Sequence, residues 1–355
     1  MAWHALDRPW PESGPAALSG LLDRLRCIQL DPLDPVAPNA ELVAHARIDG
    51  LRRGDLHATL QPDHAFEHFA KERCLIAPER FGAYRAQAVE TPWWRATQRH
   101  KRVSEALLQD VLAEVAERGP LLARELSDHG RVDPIDWHGW ESTGKAATMA
   151  LQVLWRRCQV VVAGRVGSQK LYALPPAHLL EHPPAADFVE QALSDRLQAI
   201  GMLPTADGPQ WSMLSKHRKG PQVQRLIDRG EAVPVTLPGS RRTWLAHPGL
   251  LALEPAEPDD RMRLLGPLDP LLWDRKLVQA VFGFEYLWEV YKPKEKRRWG
   301  WYVTPLLHRS ELVGRVELRR TPSTVEVIRL WTEHPRFDPA AWRACLSRLE
   351  GFACG

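Results

Sequence analysis

The sequence predicts an α+β fold of tandem helical modules, each ending in a β-hairpin, with a small antiparallel domain after them. Two observations carry this reading. Twice between residues 104 and 246, helix-forming runs give way to paired β-forming runs around a glycine-containing turn. The last hundred residues then change to strand-like runs separated by turns and basic segments. A third observation sets the scale: 355 residues exceed one ordinary core, so two or three domains are expected.

Residues 16–26 read as a helix, with Leu18, Leu21, Leu22 and Leu25 at helical spacing. Cys27-Ile28-Gln29-Leu30-Asp31-Pro32 alternates apolar and polar residues and ends at proline, which marks an extended piece. Pro32 biases Asp31 away from the helical region, so Gln29 and Asp31 are expected to project from the same side. Residues 41–48 look helical again. Ser104 begins a helix running to Arg118, where Gly119-Pro120 stops it. Residues 121–126 are expected as a second, short helix and 142–157 as a longer third. Residues 160–174 then form a hairpin. Helix, turn, helix, helix, hairpin is the order of a winged-helix module, whose third helix can enter the major groove of DNA.

A weaker copy follows: a helix at 188–200, a recognition-helix equivalent at 220–229, and strands at 232–237 and 243–246. These strands flank Pro238-Gly239-Ser240-Arg241-Arg242, a wing with two arginines at its tip. The first ninety residues would be a third, degenerate copy. Residues 284–291, 300–307, 311–318 and 324–330 read as strands of a small antiparallel sheet or barrel, closed by a helix at 339–352. The expected organisation is thus tandem winged-helix modules followed by a β-barrel-like C-terminal domain. The divisions fall at 1–95, 96–180, 181–258 and 259–355.

Hydrophobic content of 44% and charged content of 26% are ordinary for a soluble globular protein. No apolar run approaches the roughly 18 residues that span a bilayer, and Met1-Ala2-Trp3-His4 lacks the start of a secretory signal. The expectation is a cytoplasmic protein, nucleoid-associated when on DNA, with no membrane partner. Five singly spaced cysteines without a CxxC pair argue against a disulfide framework and a structural zinc site. Fourteen histidines show no metal-ligand spacing, and no phosphate loop, GxSxG, HExxH or EF-hand pattern is present. A metal-free, cofactor-free chemistry is expected.

The net charge is only +3, but it is gathered into three basic knots: Arg95 to Arg102, Lys216 to Lys219 and Lys292 to Arg298. Each alone would be a solvated surface. Together they imply a polarised face able to lie along phosphates. Among 15 tryptophans, Trp93, Trp94, Trp137 and Trp140 are candidates for stacking on bases, although core packing is the commoner role.

Three blocks together carry a family resemblance. Gln29-Leu30-Asp31 with Val36-Ala37, Leu42-Val43 and Arg47 is one, and Glu67 to Cys74 is the next. The most specific is C-terminal: Leu268-Asp269-Pro270-Leu271-Leu272-Trp273-Asp274-Arg275 and Phe282-Gly283-Phe284-Glu285-Tyr286, then Tyr302 to Arg309 running into Leu312-Val313-Gly314-Arg315. In these blocks the chain resembles the YcaQ/AlkZ winged-helix DNA glycosylases, whose glutamine–hydrophobic–aspartate motif matches residues 29–31.

The resemblance implies a monomer acting on double-stranded DNA, excising alkylated purines of the N7-alkylguanine type, interstrand crosslinks among them. By motif match, Gln29 and Asp31 inherit the catalytic positions. Asn39, Arg47, Lys71, Lys216, Arg218, Arg241, Arg242, Lys294, Lys296, Arg297 and Arg298 are the expected DNA contacts. No lysine sits in the motif, so a monofunctional hydrolase is expected rather than a Schiff-base lyase. Asp269, Trp273, Asp274 and Arg275 fit a structural corner as well as a site. Three departures bear on lesion preference more than on reaction class: a start shorter than usual in that family, Pro38 where relatives often carry arginine, and Lys71 where they often carry histidine. The alternative is a non-catalytic winged-helix regulator, which element order alone supports equally.

Overall fold

In the computed structural model, which describes residues 1–88, 101–133, 144–254 and 257–355, the leucine spacing of the first segment folds as its period dictates. Helix α1, Leu18–Leu25, buries Leu18, Leu21, Leu22 and Leu25 on one face. Arg26 then takes φ 62°, outside helical space, and the chain enters strand β1, Cys27–Gln29. Helix α2, Asn39–His45, follows; a short helix Asp55–Leu60 and strands Phe66–Ala70 and Glu72–Ile76 come next. The chain divides into two compact units, one of residues Met1–Thr59, Lys71–Cys74 and Val189–Gly355, the other of Leu60–Ala70 and Leu75–Phe188.

In the second unit, the helix Glu105–Arg118 starts at Ser104, whose hydroxyl accepts the Leu107 N–H. Its buried Leu108, Val111 and Val115 share a core with Ala150, Leu151 and Leu154 of the helix Ala146–Arg156. The hairpin is present as Val161–Val166 paired with Gln169–Ala173. Residues 121–126 are not the short helix that the sequence suggested. Leu121 and Leu122 pair with Tyr172 and Leu171 as a third strand, and a turn follows in which Glu125 accepts the Leu122 N–H. Leu121 and Leu126 reach the core all the same, so a strand and turn satisfy the apolar spacing that had looked helical. The expected start of the longer helix at 142, the tryptophans at 93, 94, 137 and 140, and the basic positions 95–100 lie outside the described residues. Glu67 braces this unit: Gln61, Arg165 and Lys170 all donate to its carboxylate.

The first unit contains the helix Val189 onward of Phe188–Ile200, the strand Met202–Pro204, the helix Pro221–Asp228 and the hairpin Val233–Thr236 with Thr243–Ala246. Met202–Pro204 pairs with the second hairpin strand, giving a three-stranded antiparallel sheet.

The C-terminal sheet has four antiparallel strands in the order Met262–Leu264, Val303–His308, Glu311–Arg320, Val325–Thr332. It is open, so the expected barrel does not form among the described residues. The helix Pro339–Cys354 bridges its edges instead: Arg348 donates to the Met262 carbonyl at one edge, while Glu350 accepts from the Thr324 hydroxyl at the other. The expected strand at 284–291 is absent too. Met262–Leu264 occupies the ladder position beside Val303–His308, and residues 284–291 pack by side chains. Phe284 and Tyr286 are buried in the core with Leu265, Leu307 and Leu312, and the Tyr286 hydroxyl donates to the Val303 carbonyl. Four of the five cysteines are buried, and all five are free thiols.

Candidate functional site

Hydrogen bonds from several segments hold residues 29–31 in place. The ladder continues one residue past the strand, where the Leu30 N–H donates to the Arg73 carbonyl at 2.8 Å. Asn39, at the start of α2, donates its Nδ2 to the Gln29 carbonyl at 2.9 Å and accepts the Leu268 N–H on Oδ1 at 2.9 Å. One amide therefore fastens the strand to the C-terminal block. Gly266 is the close approach that permits this, since a Cβ there would meet Asn39 Oδ1 at 2.7 Å.

The side chain of Gln29 is buried, and its Oε1 accepts from Lys71 Nζ at 2.9 Å. Lys71 is itself buried, its ammonium 4.9 Å from the centre of the Trp273 ring. Burial first, and then the neighbouring Arg196, push its pKa down to about 8. A DNA contact was expected of Lys71; at 5% exposure it serves the interior instead.

Asp31 is half-buried and in no ion pair among the described residues. Its Oδ1 accepts the Leu33 N–H at 2.9 Å, an Asx-type turn set by Pro32. Partial burial raises its pKa from the ordinary aspartate value, and the Leu33 N–H opposes that. Two phenols lie within its field. Tyr302 is buried with its hydroxyl unpartnered among the described residues. Burial first, then Tyr286, Asp31 and Asp34, push its pKa far up. Tyr291 stands in solvent at 83% exposure, and its pKa is raised by partial desolvation first, then by Asp31 and Glu72. Sequence reasoning missed both tyrosines. For Tyr291 the only signal was an aromatic directly before a basic knot, whereas Tyr302 stood in the C-terminal block without a role assigned to it.

Tyr291 opens a loop organised by one buried carboxylate. Glu289 accepts from Lys292 Nζ at 2.8 Å and from the backbone N–H groups of Arg298 and Trp299 at 3.0 and 2.8 Å. The turn so formed exposes Lys294 and Lys296, neither of them in an ion pair among the described residues. Arg297 turns back onto the Lys292 carbonyl, and Arg298 pairs with Glu285 at 2.6 Å. Of the other expected contacts, Lys216 and Arg241 are exposed. Arg218 donates to the Thr205 carbonyl, and Arg242 lies 3.7 Å from Asp274 and over the Trp244 ring.

Two further expectations of DNA contact are corrected by burial. Asn39 is sealed in the stitch just described. Arg47 and Asp269 are both fully buried, joined by two hydrogen bonds of 2.7 and 3.0 Å, and Arg47 also donates to the carbonyls of His4 and Val43. Two parallel N–H donors onto a carboxylate make a clamp, and no phosphate can enter it. The most specific sequence block is thus the structural corner: Trp273 Nε1 bonds the Leu268 carbonyl, and Asp274 caps the helix Arg275–Phe282.

Glu41 in α2 gives this region a pH dependence. Burial, opposed by the Gly54 N–H and Arg53, pushes its pKa up from 4.5 to about 7. The folded chain therefore keeps a proton that the unfolded chain releases at lower pH. Stability is full below about pH 4.5 and is lost as pH rises towards 7, by about 3 kcal/mol. Glu41→Gln is expected to flatten that interval in denaturant titrations at pH 5 and pH 8, raising stability at the higher pH. An unchanged slope would remove Glu41 as its source.

The model of a family described as "DNA glycosylase AlkZ-like" matches residues 22–352. Among solved structures, the chain is similar to Streptomyces sahachiroi DNA glycosylase AlkZ, with a TM-score of 0.60 at 15% identity over 99% of this chain and 96% of that one. At that identity the likeness speaks for the fold alone.

Proposed function

The chain belongs to the AlkZ-like DNA glycosylase family, and from this premise we propose that it hydrolyses the N-glycosidic bond of N7-alkylated purines in duplex DNA, crosslinked ones included. The observation that carries the reading is Asp31: a carboxylate half-buried, free of ion pairs among the described residues, next to an anchored Gln29.

Alkylation at N7 leaves the purine cationic and ready to depart. As the C1′–N9 bond breaks, its electron pair neutralises the base and positive charge moves onto the sugar. The Asp31 carboxylate stabilises that charge and takes the proton of the water whose oxygen bonds to C1′. Gln29 orients the water. No acid is required, because the leaving group already carries the charge that protonation would supply.

The module reading is likewise ours. Winged helices at 1–95, 96–180 and 181–258, with the β domain at 259–355, are supported by a shared pairing. In the three-stranded sheets around the hairpins Val161–Ala173 and Val233–Ala246, the short strand after the first helix pairs with the second hairpin strand.

Lys216, Arg241, Lys294 and Lys296 are the exposed cations that fit phosphates, and Tyr291 fits a base face. Base stacking on an aromatic is worth roughly 1–3 kcal/mol. Tyr291→Ala is therefore expected to weaken binding to lesion-bearing duplex about tenfold, while Tyr291→Phe retains it; fluorescence anisotropy checks both.

The reading itself is tested by incubating methylated duplex DNA with the protein and measuring released 7-methylguanine. Release from methylated but not unmethylated DNA is expected. Selection from random duplex provides the counter-test, since a strong consensus sequence with no base release would favour the regulator.

A further inference from the structure

We propose that Lys71 is a positioning residue for this hydrolysis. It locks the Gln29 amide with its oxygen inward, so that the NH2 group faces the attacking water. The inference rests on the role given to Gln29 above.

An ammonium has three donors and no acceptor, so a glutamine amide 2.9 Å away can meet it only through oxygen. Rotating the amide would set NH2 against NH3⁺ in a buried site. The ammonium cannot drift away, because it lies over Trp273, whose indole N–H is fixed on the Leu268 carbonyl at 2.8 Å. Arg196 lies 5.7 Å from the same ring centre and donates to the carbonyls of Gln210 and Ser212. With Oε1 engaged, Gln29 offers N–H to a water oxygen. That water keeps both of its own O–H bonds to donate, one of them to Asp31.

The lock depends on protonation. The groups bearing on Lys71 are Arg196, which favours proton loss, and Cys74, Glu72 and Cys27, which oppose it; burial dominates and places the pKa at about 8. A neutral amine has a lone pair that can accept, so the amide is then free to turn either way. On the alkaline side, turnover should hold up to about pH 8 and decline above it.

The test compares kcat, KM and pH profiles between pH 6 and 10 for wild type, Lys71→Met and Lys71→Gln, on methylated duplex. Lys71→Met should lower kcat on the order of 10- to 100-fold, as for a misoriented group. Its KM should stay nearly constant and its alkaline limb should vanish. Lys71→Gln, whose amide can accept as well as donate, leaves Gln29 free to turn as the neutral amine does, so it should run at the alkaline wild-type rate at every pH, without the limb. A Lys71→Met enzyme with the wild-type rate and profile overturns the proposal. So does a covalent complex through Lys71 trapped by borohydride, which would make the lysine a nucleophile.

A second readout is independent of activity. In wild-type protein carrying ¹⁵N in its glutamine side chains, the amide signal absent from Gln29→Asn should titrate near pH 8, and it should stop doing so in Lys71→Met. If wild type released no methylated base, the glycosylase reading would fail, and this titration would still decide whether the lock exists.

Discussion

Asp31→Asn is expected to slow alkyl-purine release about a thousandfold while leaving duplex affinity and fold intact. A carboxylate about 4 Å from a developing sugar cation, at an effective dielectric near 20, contributes about 4 kcal/mol. Lost from the barrier, that is roughly three powers of ten. Asparagine keeps the oxygen that accepts the Leu33 N–H, so the turn before Leu33 survives and the charge is what changes. Wild-type activity should also fall at low pH. Because partial burial raises the Asp31 pKa, the reactive anion is present above a pKa higher than the ordinary 3.8 and is lost as pH drops through it. Single-turnover rates across acid pH check both points, and equal rates for wild type and variant would remove Asp31 from its role.

The largest stability effect should come from the Arg47–Asp269 clamp. Removing one member of a fully buried pair strands the other charge, at a cost of about 3–5 kcal/mol. Arg47→Met or Asp269→Leu alone should therefore lower the denaturant midpoint sharply. The double variant, apolar throughout, should recover much of the loss, because neither charge is left stranded. A double variant as unstable as the sum of the singles would mean that the bonds of Arg47 to the carbonyls of His4 and Val43, not the ion pair, carry the effect.

What the sequence disclosed depended on how near the cause lay. The helix Glu105–Arg118 was legible because its cap, its apolar spacing and its Gly119-Pro120 stop are all local. The motif at 29–31 was legible as an extended piece because Pro32 constrains it directly. Met262–Leu264 was not, since three residues carry too little periodicity, and missing it put a false strand at 284–291. Nor could Arg47, Asn39 or Lys71 be told from surface cations and polar groups. Their partners are 222, 229 and 42 residues away, and only folding reveals that each is spoken for. The loop at 291–298 reads as a charge run until Glu289 is seen gathering its backbone.

The Asn39–Leu268 stitch has a consequence for synthesis. A ribosome makes the reactive strand within the first thirty residues, yet the groups that fix Asn39 and Arg47 behind it emerge more than two hundred residues later. Until then Asn39 and Arg47 have only their nearer partners, the carbonyls of Gln29, His4 and Val43, and contacts so distant in sequence form slowly. A nascent or prematurely terminated chain would carry the motif for hydrolysis without the geometry to use it. Its chemistry waits on the synthesis of residues 268 and 269.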